Sequence, residues 1–198
     1  MSIPVFHLAS PITHRAALLE LNTDYMAWVV DGLERATGAA PPEVVRMGLV
    51  PYVASMLDKL CAQVPPHGVF YVVMLDGAVA GMGGLRRVEG DAQVQGQARM
   101  QGQAVGDTAG AATAVAEIKR VYVRPAFRGQ QLGRAIVQRL MADARAFGYQ
   151  RVCLDSAPFM HTAQRLYEAL DFVDCAAYEG TEVPVALNAS WRFMARDL

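Results

Sequence analysis

Cysteine is scarce here, and what there is does not cluster. Cys61, Cys153 and Cys175 are an odd set spread over 198 residues, with no Cys-x-x-Cys spacing. That excludes a disulfide framework and a cysteine zinc site, and it fits a reducing compartment. Histidine is equally sparse: His7, His14, His67 and His161 show no metal-ligand spacing, so no metal is expected. Charge of one sign is missing as well. Lys and Arg number 18 against 19 Asp and Glu, a net charge of −1, which gives no support to binding of nucleic acid or an anionic membrane. No apolar run reaches the roughly 20 residues of a membrane span, and no charged-then-apolar leader opens the chain, so a cytoplasmic location is expected. Residues 88–114 lack large apolar groups and are rich in Gln, Gly and Ala. They read as an insertion within a single domain covering 1–198, either an inert spacer, a lengthened hairpin or a lid.

What the chain does carry is concentrated in residues 117–134, Glu-Ile-Lys-Arg-Val-Tyr-Val-Arg-Pro-Ala-Phe-Arg-Gly-Gln-Gln-Leu-Gly-Arg. Ile118, Val121 and Val123 give a β-branched run that Pro125 ends. From Leu132 the apolar period changes to 3.6, with Ile136, Leu140, Ala144 and Phe147 on one face and Gly148 as the stop. A helix that opens from a glycine-bearing loop presents unpaired backbone N–H groups and the positive end of its dipole. Those features suit a phosphate, and Arg128 and Arg134 add mobile charge. The same residues also allow an ordinary strand–turn–helix with solvated arginines. Two familiar phosphate loops are excluded. Gly129 to Gly133 is one residue short of a Walker loop, with Arg134 where Lys belongs. Gly81-Met82-Gly83-Gly84 lacks the third glycine of a dinucleotide fingerprint and precedes no helix.

The remaining elements follow from periodicity and breakers. A strand is expected over 3–8 and a helix over 13–35, with Leu18, Leu19, Tyr25, Trp28, Val29 and Leu33 as its stripe. A second helix is expected from Glu43 to about Gln63, between two Pro-Pro pairs. Residues 69–75 and 78–85 around Asp76-Gly77 read as a hairpin. Strand 117–123, helix 132–147, strand 150–154, helix 160–170, strand 172–176 and a closing strand near 191–194 complete a mixed α/β order with one parallel crossing.

Arg128-Gly129-Gln130-Gln131-Leu132-Gly133 resembles the acetyl-CoA motif of the GNAT superfamily of N-acetyltransferases, Arg/Gln-x-x-Gly-x-Gly/Ala, with Gln131 in place of the first glycine. Leu154-Asp155-Ser156-Ala157-Pro158-Phe159-Met160, followed by Ala163, Leu166-Tyr167 and Leu170-Asp171-Phe172, is similar to the family's second signature, with Asp171 where a glycine is common. The resemblance covers roughly residues 68–175. It implies a central, largely antiparallel sheet flanked by helices, with the parallel crossing at the acetyl-CoA site. It further implies that the cosubstrate is held by Val121, Tyr122, Val123, Arg128, Gly129, Gln130, Gln131, Leu132, Gly133 and Arg134, that Glu117 removes the amine proton, and that Tyr167 protonates the departing sulfur.

The chemistry makes such a base useful. An alkyl amine of pKa about 10.4 is neutral in only about one molecule in 2,500 at pH 7, an α-amine near 7.8 in roughly one in seven. The residues alone also allow Glu117 to be a solvent-facing strand end and Tyr167 a core tyrosine. His161 reads as a cap or solvent histidine. Arg86, Arg87, Lys119 and Arg120 form a small basic set in which Lys119 and Arg120 alternate faces, so at most one can meet a ligand. The expected activity is direct transfer of acetyl from acetyl-CoA to a primary amine of a small molecule or peptide. The alternative is a non-catalytic acyl-CoA-binding sensor or structural module, and a homodimer is left open.

Overall fold

The sheet grows outward from two hairpin strands whose residues are mostly buried. In the computed structural model, which describes residues 2–38, 42–88 and 114–198, β2 (Gly68–Leu75) and β3 (Ala78–Arg87) pair antiparallel. Asp76 and Gly77 make the turn, both at positive φ. β1 (Val5–Leu8) joins the outer edge of β2, and β4 (Val115–Val123) joins β3. The chain then crosses through α4 (Leu132–Ala146) to β5 (Arg151–Ser156), which lies parallel to β4, a pairing that needs such a crossover. After α5 (His161–Glu168), the short β6 (Val173–Asp174) and β7 (Arg192–Asp197) finish a seven-stranded sheet of order β1-β2-β3-β4-β5-β7-β6. Every pairing but β4–β5 is antiparallel.

Each face has its own core. Leu132, Ile136, Val137, Leu140 and Ala144 are wholly or almost wholly buried at helical spacing, and they lay α4 against β3 and β4. The close approach depends on Gly83, where a Cβ would lie 2.5 Å from Ile136 Cγ2. On the opposite face, α1 (Arg15–Thr37) and α3 (Leu49–Leu60) bury Leu18, Leu21, Val53 and Leu57 against Phe70, Val72, Met82 and Tyr122. Beyond them, Tyr178, Val183 and Phe193 cover Val115 and Cys153.

Three differences from the sequence reading have physical causes. The expected helix over 43–63 is two, α2 (Pro42–Met47) and α3, because Gly48 adopts φ 77° and Pro51 lies in the first turn of α3, where a missing N–H costs nothing. The buried stripe of α1 runs through Leu18, Leu21, Asn22, Val29 and Leu33, so it includes a polar residue that a hydrophobic pattern conceals. β4 starts at Val115, which puts Glu117 inside the strand rather than at its beginning. The expected insertion at 88–114 lies almost wholly outside the described residues.

Candidate active site

Two features meet where β4 and β5 part: an array of unpaired amides and a buried carboxylate network. Parallel pairing holds only from Val115–Arg151 to Glu117–Cys153. Beyond it β4 continues along β3 and β5 continues along β7. Among the described residues, the β5-facing edge of β4 past Glu117, alongside Val121 to Val123, therefore has no strand partner, β3 pairing on the other edge.

The wide end of this wedge is closed by the loop into α4. A turn of 3-10 helix over Pro125–Phe127 leads to Gly129 at φ 79° and Gln131 at φ 59°, and α4 follows at once. The first bond into the helix is donated by Ala135 N–H to the Gln131 carbonyl, at 3.1 Å. Among the described residues the amides of Gly129, Gln130, Gln131, Leu132, Gly133 and Arg134 donate to no protein acceptor, and no side chain caps α4. Six amides at the positive end of a helix suit an anion. Arg128 donates from Nε to the Val123 carbonyl at 3.1 Å and lies over the Tyr122 ring, 5.9 Å from its centre. A Cβ on Gly133 would point between α5 and β4, 3.4 Å from Leu166 Cδ2 and 3.9 Å from Val123 Cγ2.

Gln131 and Asp171 stand where glycine is common in the motifs they resemble, and both adopt left-handed backbone, at φ 59° and 61°. The backbone thus takes the glycine conformation with a side chain attached, which costs on the order of 1 kcal/mol per position. At Asp171 the Phe172 N–H returns to the Tyr167 carbonyl at 3.0 Å, and the reversal ends α5.

Glu117 is 1% exposed. A buried carboxylate needs partners, and both of its oxygens have one: Arg86 Nε donates to Oε2, and the Tyr178 hydroxyl donates to Oε1 at 2.8 Å. Tyr178 Oη also lies 3.4 Å from Asp155 Oδ2, and Trp191 Nε1 donates to Asp155 Oδ1 at 2.9 Å. Burial, reinforced by the Glu117 charge and opposed by the Trp191 bond, pushes the Asp155 carboxyl up to about 6. Burial and the two carboxylates push the Tyr178 hydroxyl far above the usual phenol range. Glu182 is held down at about 2 despite its burial, because Lys119 contacts it at 2.9 Å with Arg86 nearby.

Tyr167 is buried on α5, its ring tilted against Phe172 with centroids 5.9 Å apart. Its hydroxyl has no hydrogen-bond partner among the described residues. Burial, with Tyr25 and Asp155 nearby, raises its pKa and keeps it protonated. Among the predicted positions, Glu117 thus lies in the carboxylate network, Tyr167 on the buried face of α5, and Arg128 to Arg134 at the cradle. Asp155, Tyr178, Trp191 and Arg86 escaped the sequence reading as site residues. Asp155 had a signal, a carboxylate in the apolar run Val-Cys-Leu-Asp-Ser, whereas Tyr178 lies in a segment without periodicity.

The raised carboxyl makes a stability prediction. Native Asp155 titrates near 6 and an unfolded Asp near 3.9, so the native chain binds more protons between those values. Stability therefore falls as pH rises from about 4 to about 6 and stays lowered above it. Asp155→Asn keeps the Trp191 bond and removes the charge. It should raise stability at pH 7.5 by up to about 3 kcal/mol, with the gain vanishing near pH 4. Melting curves across pH check both the sign and the window.

Among the described residues no group of three or more His, Cys, Asp or Glu could hold a metal ion, and no helix is long and apolar enough to cross a membrane. A model of the acetyltransferase (GNAT) family matches residues 39–172. An IAA acetyltransferase of Azospirillum brasilense is 36% identical over 58 residues, 29% of this chain and 38% of the relative. The uncharacterized N-acetyltransferase YjgM of Escherichia coli is 27% identical over 107 residues, 54% of this chain and 52% of that one. The matched stretches thus span between 30% and 52% of the curated relatives' lengths. In overall fold the chain is similar to RimL, a ribosomal L7/L12 alpha-N-protein acetyltransferase solved with coenzyme A. The TM-score is 0.65 at 13% identity, covering 98% of this chain and 94% of that one. PaiA N-acetyltransferase of Thermoplasma acidophilum, also solved with coenzyme A, gives a TM-score of 0.60 at 12% identity, covering 99% of both chains.

Proposed function

The chain belongs to the acetyltransferase (GNAT) family, and from that premise we propose that it transfers the acetyl group of acetyl-CoA directly to a primary amine. The observation that carries the reading is the wedge itself, with unpaired amides at the α4 end and a buried carboxylate network on β4 and β5. In this reading the amides from Gly129 to Arg134, with Arg128 and Arg134, hold the pyrophosphate. The free edge of β4 at Val121 to Val123 orients the pantetheine arm, and the thioester supplies an activated acyl group. Amine and thioester meet without an acyl-enzyme.

The chain's own part is proton handling. Both Glu117 oxygens are occupied, so the acceptor's proton travels through Tyr178. Its hydroxyl takes the ammonium proton as it passes its own to Glu117 Oε1. The C–N bond then forms, the C–S bond breaks, the Tyr167 hydroxyl gives its proton to the departing sulfur, and the second proton shed by the nitrogen as it becomes an amide restores Tyr167 through solvent. Arg86 holds the Glu117 carboxylate in place from the other side.

The test uses the full chain, with calorimetry for acetyl-CoA binding and thiol release for turnover over a panel of primary amines. Wild type should bind and turn over. Gly133→Ala fits the contacts described, whereas Gly133→Val sends two further methyl groups into the wedge and should weaken acetyl-CoA binding at least tenfold, about 1.4 kcal/mol. Unchanged affinity in a folded Val variant would remove the cradle assignment. Binding without thiol release across the panel would leave a binding module instead of an enzyme.

A further inference from the structure

Among the described residues, an arginine near the carboxylate network has no carboxylate within ion-pair reach. A bulge in β4 produces it: Gly84 faces Lys119 and Met82 faces Tyr122, so Gly83 alone opposes two residues, Arg120 and Val121. Arg120 takes φ 52° there, a left-handed conformation that an arginine does not adopt without compensation. The strict alternation expected from sequence is broken, and Lys119 and Arg120 both reach the face covered by α1, α3 and the segment before β7. That corrects the expectation that only one of them could meet a ligand.

Among the described residues, the cations neighbouring Arg120 on this face are ion-paired. Arg86 pairs with Glu117, Lys119 with Glu182, and Arg124 with Glu20 and Asp24. Arg120 has no carboxylate within 4.0 Å among the described residues. Its Nε is buried without an acceptor, and its Nη2 faces only the weakly accepting Met56 sulfur at 3.8 Å. Its Nη1 donates to Asn22 Oδ1 at 3.2 Å, and its guanidinium lies 5.8 Å from the centre of the Tyr25 ring. Asn22 is completely buried and donates its own amide to the Leu18 carbonyl at 2.8 Å, so its oxygen is fixed toward Arg120. A recess of about 140 Å³ lies on the same face, lined by Met56, Phe70, Arg86, Lys119 and Glu182, and Arg120 adjoins it through Met56. Glu182 lies within electrostatic reach of Arg120 but is engaged by Lys119, so a guanidinium held in place without a contacting anion is costly for the chain by itself, and an anion arriving from outside offsets that cost.

Resting on the acetyl-transfer reading above, we propose that Arg120 selects the acceptor, and that the acceptor is a small amino carboxylate whose carboxylate pairs with the Arg120 guanidinium. Arg120 and Glu117 are three residues apart on one strand, on the order of 10 Å of backbone. Both side chains reach the same face, so the amine and the carboxylate they serve lie within one small molecule. The planar guanidinium, with Nε buried without an acceptor and Nη2 weakly engaged, carries the fork a carboxylate takes bidentately.

The experiment measures thiol release at saturating acetyl-CoA with matched acceptors: amino acids of different chain length, each beside its carboxamide and its decarboxylated amine. Wild type should favour the carboxylate member at least tenfold in kcat/KM. Arg120→Gln should erase that preference through a raised KM, with kcat and acetyl-CoA affinity within about threefold of wild type. Arg120→Lys, which keeps the charge but loses the fork, should restore part of it. A merely structural arginine would instead lower the rates of all acceptors alike in the Gln variant, and that result overturns the proposal. So does a wild type that prefers the uncharged member, or that binds acetyl-CoA yet turns over neither; these comparisons need no variant to fold. A wild type that fails to bind acetyl-CoA overturns the reading on which the proposal rests.

Discussion

Replacing Glu117 with Gln should lower turnover of a high-pKa amine at pH 7 by about 10²–10⁴-fold, the range that a positioned general base contributes. Gln preserves the size of the side chain and can still accept the Tyr178 hydrogen bond, but it cannot receive the proton that Tyr178 passes on. The loss should shrink as pH rises and free amine becomes abundant. It should also be much smaller with an acceptor of pKa near 7.8, which is already neutral in about one molecule in seven at pH 7. Rates measured across pH with both kinds of acceptor make the test. A uniform loss would mean that Glu117 serves structure and that proximity supplies most of the rate.

The same substitution also acts on the fold, and the two effects separate cleanly. Arg86 is largely buried, and in the Gln variant its Nε meets a neutral amide. Removing one member of a buried pair costs roughly 3–5 kcal/mol when the other is left wholly without compensation. Arg86 keeps the Gly180 carbonyl at 2.6 Å and Glu182 at 4.0 Å, so the fall in stability should be smaller than that. A lower melting temperature cannot produce a rate defect that depends on acceptor pKa.

How much of this was legible before the structure depends on what each residue leans on. The β4–α4–β5–α5 order could be read because its signals are local. A β-branched run ends at Pro125, and a 3.6-residue period begins at Leu132. The division between α2 and α3 also had a local signal, in Gly48 and Pro51, but the apolar run around them reads as one continuous face. The bulge at Arg120 has no local signal, because it is a matter of register with β3, and two features at Gly83 bear on it: the missing Cβ and the pressing Ile136. The carboxylate network is further out of reach. Tyr178 meets Glu117 across 61 residues of sequence and Asp155 across 23, from a segment with neither strand nor helix period. Glu117 could be named because motif and strand placed it, whereas the partners that hold it belong to tertiary structure. The same distinction explains why Asn22 is absent from the stripe expected for α1. Its partner Arg120 lies 98 residues away, and only packing brings the two together.

Tyr167→Phe should reduce kcat by roughly 10²-fold while acetyl-CoA affinity barely changes, if its hydroxyl protonates the departing sulfur. The fold gives this substitution an unusually clean reading. The ring packs in the core beside Phe172, and Phe keeps that contact. The hydroxyl bonds to no described residue, so its removal breaks no hydrogen bond and should leave the melting temperature within a degree or two. Burial, with Tyr25 and Asp155 close by, holds the phenol above its ordinary pKa, so wild-type Tyr167 stays protonated and ready to donate throughout the physiological range. The rate defect should therefore show no break with pH near neutrality, unlike the defect at Glu117. It should instead follow the leaving group, because a thiol of low pKa departs as thiolate without help. An acetyl thioester of a more acidic thiol should narrow the gap between wild type and variant, and one of a more basic thiol should widen it. Equal rates for both proteins with acetyl-CoA would return Tyr167 to a packing role, and a defect indifferent to the leaving thiol would place its hydroxyl in orienting the thioester rather than in protonating sulfur.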